Sequence, residues 1–251
     1  MGYCGLCRQS GQAVRFGKPF NGCWVHFERF NPGTRDMRHT RRWSVLAFVF
    51  SLLAGSVLAY AAEDVHECDN GDSERRIRAC TELIETPGVG IARLATAYAS
   101  RALAYSLRGE YQTSIRDYDK AIGLIPEYAV ALNNRAWAYF KGGRAAQGMP
   151  DVERSLQLDP LSSHSLDTRA HINQTMGNGE RAMRDYESAM VYGGQRMVTL
   201  YQCGLKMHRL YSGPNDGVIR AELISAMKAC VALGAACDPL PPDEECREAV
   251  S

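Results

Sequence analysis

The chain has 251 residues, 45% of them hydrophobic and 23% charged, enough apolar material for one or two domains with a real core and too much for a disordered chain. The net charge of +1 conceals an asymmetry: residues 1–61 carry eight Lys and Arg against only Glu28 and Asp36, which leaves 21 basic and 26 acidic residues beyond them, a net of −5. A mildly acidic body without a basic stripe excludes nucleic acid as a partner, because phosphate binding depends on clustered Lys and Arg.

The first elements in chain order concern targeting. Arg38, Arg41 and Arg42 precede the apolar run WSVLAFVFSLLAGSVL at residues 43–58, then Ala59-Tyr60-Ala61, then Glu63 and Asp64. A positive n-region, a short h-region and small residues at A-x-A spacing make a secretory signal, with cleavage expected after Ala61. Sixteen residues fall short of the roughly 20 that span a bilayer; the alternative is an uncleaved inner-membrane anchor with the body exported. Met37 just ahead of the basic region is read as the start, which makes residues 1–36 an over-extension. The competing reading of that segment is a structural zinc site, since Cys4-x-x-Cys7 and Cys23-x-x-His26 have zinc-ribbon-like spacing. No other cofactor is implied.

Beyond the signal, residues 62–94 contain a degenerate half-repeat. GDSERRIRACTELI at residues 71–84 echoes residues 109–122 at a shift of 38, with Ile77 over Ile115, Cys80 over Tyr118 and Ile84 over Ile122. From residue 95 the echo becomes regular: Arg101, Arg135 and Arg169 recur every 34 residues, as do Ala102, Ala136 and Ala170, and Asp117, Asp151 and Asp185. A 34-residue period holding two helical patterns predicts a helix-turn-helix array. Each Arg lies on a first helix and each Asp on a second, so each pair is expected to meet across its own hairpin as an ion pair.

These residues resemble the tetratricopeptide repeat. Residues 95–128 carry the likeness through Ala102, Tyr105, Gly109, Tyr118, Ala121 and Pro126, and residues 129–162 through Leu132, Ala136, Tyr139, Gly143, Ser155 and Pro160. The third copy, 163–196, keeps Leu166, Ala170, Gly177, Ala182, Tyr186 and Ala189 but has Gly194 where proline is expected. The resemblance implies an all-α solenoid and a concave groove, lined by the first helix of each repeat, that takes a protein or peptide. Carried over by position, the groove presents Asn133, Trp137 and Lys141 from one helix and Asp167, His171 and Thr175 from the next; spacing of i, i+4, i+8 puts each trio on one face. Ala99 and Leu103 replace the Lys and Asn of chaperone-binding members, which argues against a chaperone tail as ligand.

The last stretch, residues 197–251, contains a Pro/Gly break, LYSGPNDG. Residues 200–231 are similar to the small helical peptidoglycan-binding module, through Leu200, Gln202, Leu205, Tyr211, Gly213, Pro214, Asp216, Gly217 and Ala226; Arg220 and Leu223 depart from it. The resemblance implies a cell-wall loop in which Tyr211 faces sugar, Asn215 supplies an amide and Asp216 holds the turn. The alternative is a closing helical hairpin, with Asp216 capping a helix from about Val218.

Six cysteines follow the signal: Cys68, Cys80, Cys203, Cys230, Cys237 and Cys246, an even number suited to an oxidising compartment. Proximity suggests Cys68 with Cys80, and either Cys203 with Cys230 or Cys237 with Cys246. His66, His164, His171 and His208 form no H-E-x-x-H, and neither G-x-S-x-G nor a phosphate-binding loop occurs. The expectation is a non-enzymatic, exported scaffold, periplasmic or secreted, in a bacterial envelope; its membrane contact is limited to an uncleaved N-terminus, and the alternative function is cell-wall binding.

Overall fold

The computed structural model describes residues 67–240, all of them in helices, turns and loops. The expected signal at residues 37–61, the Cys4/Cys7/Cys23/His26 set and Cys246 lie outside the described residues. Eight α-helices follow in order: α1 (Ser73–Glu85), α2 (Ile91–Leu107), α3 (Tyr111–Leu124), α4 (Ala129–Lys141), α5 (Ala145–Leu158), α6 (Ser163–Thr175), α7 (Gly179–Met207) and α8 (Ala221–Ala232), with a 3₁₀ turn at Gly234–Ala236. Consecutive helices pack as antiparallel pairs, α2 on α3, α4 on α5, and α6 on α7. The fold is an all-α, tetratricopeptide-like solenoid.

The repeat period acts through small residues and turns. Ala102, Ala136 and Ala170 are fully buried, and so is the opposing surface: a Cβ on Gly148 of α5 would come within 2.7 Å of Ala136 O. That contact fixes how closely paired helices approach. Each first helix ends alike, with Gly109, Gly143 and Gly177 at φ between 74° and 77°. The next N–H reaches back five residues, from Glu110 to Tyr105 O (2.9 Å), from Arg144 to Tyr139 O (2.8 Å) and from Asn178 to Asn173 O (2.8 Å). This is a Schellman stop, which needs a left-handed residue that glycine supplies without a Cβ penalty.

The repeated Arg and Asp form a ladder of bidentate pairs across the hairpins. Arg101 holds Asp117 at 2.7 and 2.9 Å, Arg135 holds Asp151 at 2.7 and 2.7 Å, and Arg169 holds Asp185 at 2.9 and 2.6 Å. The fork geometry of guanidinium on carboxylate fixes the rotation of one helix against the other as well as their separation. Arg135 also donates to Asp119 of the preceding hairpin at 2.6 Å, and Arg101 to Thr81 of α1 at 2.9 Å. The ladder therefore ties neighbouring hairpins together too.

Gly194 does by conformation what proline does in the first two repeats. At φ 61° and ψ −154° it occupies backbone space open essentially to glycine alone. It breaks α7 into a first half that closes the third hairpin and a second half that packs with α8.

At the N-terminal end Asp72 caps α1, its Oδ1 accepting from the N–H of Glu74 (3.1 Å) and Arg75 (3.0 Å). Cys68 is bonded to Cys80, as proximity suggested, with Cα atoms 4.7 Å apart.

The other suggested pairings are corrected. Cys230 is joined to Cys237 rather than to Cys203, because the 3₁₀ turn folds the chain back onto the end of α8 and brings the two Cα atoms to 5.3 Å. Cys237 is thereby unavailable to Cys246. Cys203 is disulfide-bonded too.

Candidate functional site: the concave groove

First helices line the concave face: α2, α4, α6 and the second half of α7. Of the six residues expected there, Asn133, Trp137, Lys141, Asp167 and His171 converge, whereas Thr175 is exposed at the end of α6 and Gln174 takes its place. The groove is not open along its length. Residues 234–240, after α8, return across it and occupy the part built by α4, α6 and α7.

His171 is the centre of that contact, 2% exposed. Its ring lies 5.3 Å from both Trp137 and Phe140 and 5.2 Å from Tyr186, edge-on to Trp137 and Tyr186. Nδ1 is 2.8 Å from the Asp167 carbonyl oxygen and Nε2 is 3.0 Å from Asp238 Oδ1. A carbonyl and an ionised carboxylate only accept, so both ring nitrogens must donate, and the side chain is an imidazolium. Burial opposes that charge, but Asp167 and then Asp238 outweigh it, and the pKa of His171 is raised. Burial also works against the Asp238 carboxylate, yet the bond and charge of His171 hold it down to about 2. Lys141 Nζ adds a contact of 3.4 Å to the other Asp238 oxygen while lying 5.6 Å from the Trp137 ring centre.

Asp167 is a different kind of acid. It is fully enclosed, and burial raises its pKa, while His171 and the Tyr201 hydroxyl, which donates to Oδ1 at 2.5 Å, favour the ionised form. Next to it Tyr186 donates to Gln174 Oε1 (2.8 Å), and Gln174 Nε2 donates to the carbonyls of Gly234 (2.7 Å) and Cys237 (2.6 Å). His208 Nε2 lies 2.9 Å from Asp238 O, and fully buried Pro239 sits against Gly204. His171, Lys141, Gln174 and His208 all bond to the chain's own tail. Sequence reading missed Gln174, Tyr201 and Asp238. Gln174 lies seven residues past Asp167 on the same helical face, a spacing that could have found it; nothing local marks Asp238.

A cleft of about 420 Å³ lies between α2, α4 and α6, lined by Leu103, Val130, Asn133, Trp137 and His164, with Leu240 among its walls. Asn133 is 8% exposed and its Nδ2 donates to Asn134 Oδ1 at 3.2 Å, but its own Oδ1 has no partner. A buried carbonyl oxygen without a donor costs free energy.

The loop LYSGPNDG is held from within. Asp216 accepts from Arg220 at 2.8 and 2.7 Å, from Gln202 Nε2 at 3.2 Å and from the N–H of Val218 at 3.0 Å; the Arg220 bonds chiefly keep its carboxyl well below the usual range. Fully buried Gln202 completes the lock, accepting from Gly217 N (2.9 Å) and donating to Val218 O (3.1 Å). Asp216 caps this turn and not a helix: α8 begins at Ala221, later than the expected Val218, because Asp216 is engaged by Arg220. Tyr211, 5% exposed, donates to Pro214 O at 3.2 Å and presents no open aromatic face. Asn215 Oδ1 is buried without a partner.

With this geometry in view, the chain can be placed among known proteins. Residues 95–128, spanning α2 and α3, match the family model of the tetratricopeptide repeat. The chain carries a tetratricopeptide repeat. That match falls on the copy whose small residues, Tyr118, Gly109 and Pro126 fit most completely. No curated protein matches the chain. Tetratricopeptide repeats stack into solenoids whose concave surfaces bind proteins or peptides. Among the described residues, no group of three or more His, Cys, Asp or Glu could hold a metal ion, and no helix is long and apolar enough to cross a membrane.

Proposed function

We propose that this protein is a non-enzymatic interaction scaffold, exported to a bacterial cell envelope, that binds a protein or peptide partner through the open cleft of its tetratricopeptide groove. The observation that carries the reading is the cleft beside Asn133, Trp137 and Val130, lined by apolar and by polar side chains. Such a surface suits an extended peptide, which offers backbone N–H donors and a side chain to enclose. A photoreactive residue at Val130, which is 61% exposed at the cleft, is expected to cross-link a partner in the native host. One at Glu187, on the second helix of the third hairpin, is expected not to. Equal adducts from both positions, or none from Val130, would sink the cleft as the binding surface.

Export rests on the signal-like residues 38–61 and on the cysteines: all five of the described ones are in disulfides, which persist in oxidising compartments. Protein purified from its host is expected to begin at Ala62, in the periplasm or outside the cell; an N-terminus upstream of Arg38 would point to the anchored alternative. Cell-wall binding draws no support from the loop geometry. The parent protein is expected not to co-sediment with purified peptidoglycan sacculi; binding that Tyr211→Ala with Asn215→Ala removes, at unchanged melting temperature, would restore that reading.

A further inference from the structure

The tail in the groove is recognised side chain by side chain. Asp238 pairs with His171 and Lys141 at 3.0 and 3.4 Å. Pro239 packs on Gly204 so closely that a Cβ there would lie 2.1 Å from Pro239 O. Leu240 forms part of the cleft wall, and Cys237 enters with extended backbone at φ −127° and ψ 121°. A carboxylate, a proline and an aliphatic side chain on an extended backbone could equally come from another polypeptide. Charge makes the choice selective. Without an acid opposite it, the buried His171 ring would keep its contacts to Asp167 at Nδ1 but lose the acceptor at Nε2, and a buried donor left without a partner is costly.

We infer that the groove of α4, α6 and α7 is a receptor for an extended Asp-Pro-aliphatic peptide, and that residues 237–240 are its resident intramolecular ligand. A partner presenting that sequence engages by exchange with the tail, running from the His171 pocket into the open cleft. The inference rests on the groove being the binding surface and adds what it recognises. Tethered through α8 and the Cys230–Cys237 bond, the tail competes at an effective concentration in the millimolar range. The affinity seen by a free peptide is therefore scaled down by the small fraction of molecules with the tail out.

The test is calorimetric titration of the full chain with the blocked peptide Ala-Ala-Ser-Asp-Pro-Leu, which copies residues 235–240 with serine in place of Cys237. The parent is expected to bind weakly. The full-chain variant Asp238→Ala with Leu240→Ala is expected to bind at least tenfold more tightly, and a peptide with asparagine for aspartate to lose that gain. A variant with the parent's helical content that binds no better overturns the inference. Should the variant lose helical content, hydrogen exchange in the parent decides. Excess peptide should speed exchange of the Leu240 N–H, which donates to Asp238 Oδ1 at 3.0 Å, and unchanged exchange overturns the inference. A partner that cross-links at Val130 but binds the tail variant and the parent equally sinks exchange and leaves the cleft reading intact. Absence of any cross-link removes the cleft reading itself.

Discussion

Asp151→Ala is expected to lower the unfolding free energy by about 2 to 3 kcal/mol, between the values for exposed and buried ion pairs. Arg135 and Asp151 are 19% and 12% exposed in their side chains, so the pair is largely out of water. Removing the carboxylate leaves a guanidinium whose remaining acidic partner is the half-exposed Asp119. For a helical body of this size the loss corresponds to a fall of roughly 5 to 10 °C in Tm. The double variant Arg135→Met with Asp151→Leu should recover most of it, since it leaves no buried charge unpaired, Asp119 being half-exposed. Thermal denaturation of the two variants beside the parent is the measurement. A loss below about 0.5 kcal/mol for Asp151→Ala would place the pair with ordinary surface ion pairs and remove the ladder as a determinant of hairpin geometry.

The ladder was legible because its cause is periodic. Arg101, Arg135 and Arg169 recur at the solenoid's own period, and residues repeating in register with a structural unit occupy equivalent places in it. Gly194 was legible as a departure, and the structure gives the departure a physical role: a backbone conformation that ends a helix where proline is missing. Arg220 shows the opposite case. It departs from the peptidoglycan-binding module, yet four residues before it stands Asp216, the carboxylate it clamps. Asn133, Trp137, Lys141, Asp167 and His171 converge because helical spacing fixes which side chains share a face. The occupant of that face was not legible. Asp238 lies 67 residues from His171, in no repeat, and such pairings are set by where the chain travels after α8. Cys68–Cys80 was legible from proximity, and at the C-terminal end the bonded pair, Cys230 with Cys237, is again near in sequence, closed by the 3₁₀ turn at Gly234–Ala236.

Gly204→Ala is expected to eject residues 237–240 from the groove. The added Cβ would lie 2.1 Å from Pro239 O and 2.7 Å from its carbonyl carbon, backbone atoms with no rotamer to retreat into. Intrinsic propensity pushes the other way, because alanine in a helix is worth about 1 kcal/mol over glycine. A helix that merely passed beside an unpacked tail would therefore be stabilised by this change, and the sign of the effect is diagnostic. The packed tail loses the His171–Asp238 pair, the Gln174 bonds and the burial of Pro239, so a net destabilisation of about 3 kcal/mol is expected. His171 reports the event directly. In the parent its folded pKa lies above the ordinary 6.5, so the stability it contributes is full below that value and is lost as pH rises through the raised one. Asp238 contributes above its ordinary 3.8 and loses its contribution as pH falls toward about 2. Asp167 is present in both proteins. The stability gap between parent and Gly204→Ala should therefore be widest between about pH 4 and 6.5 and narrow above it. In the variant, the His171 pKa read by NMR should fall, since Asp238 no longer supports the charge. A higher Tm with an unchanged His171 titration would mean that the tail does not rest on Gly204, and would also remove the ground for reading it as the groove's ligand.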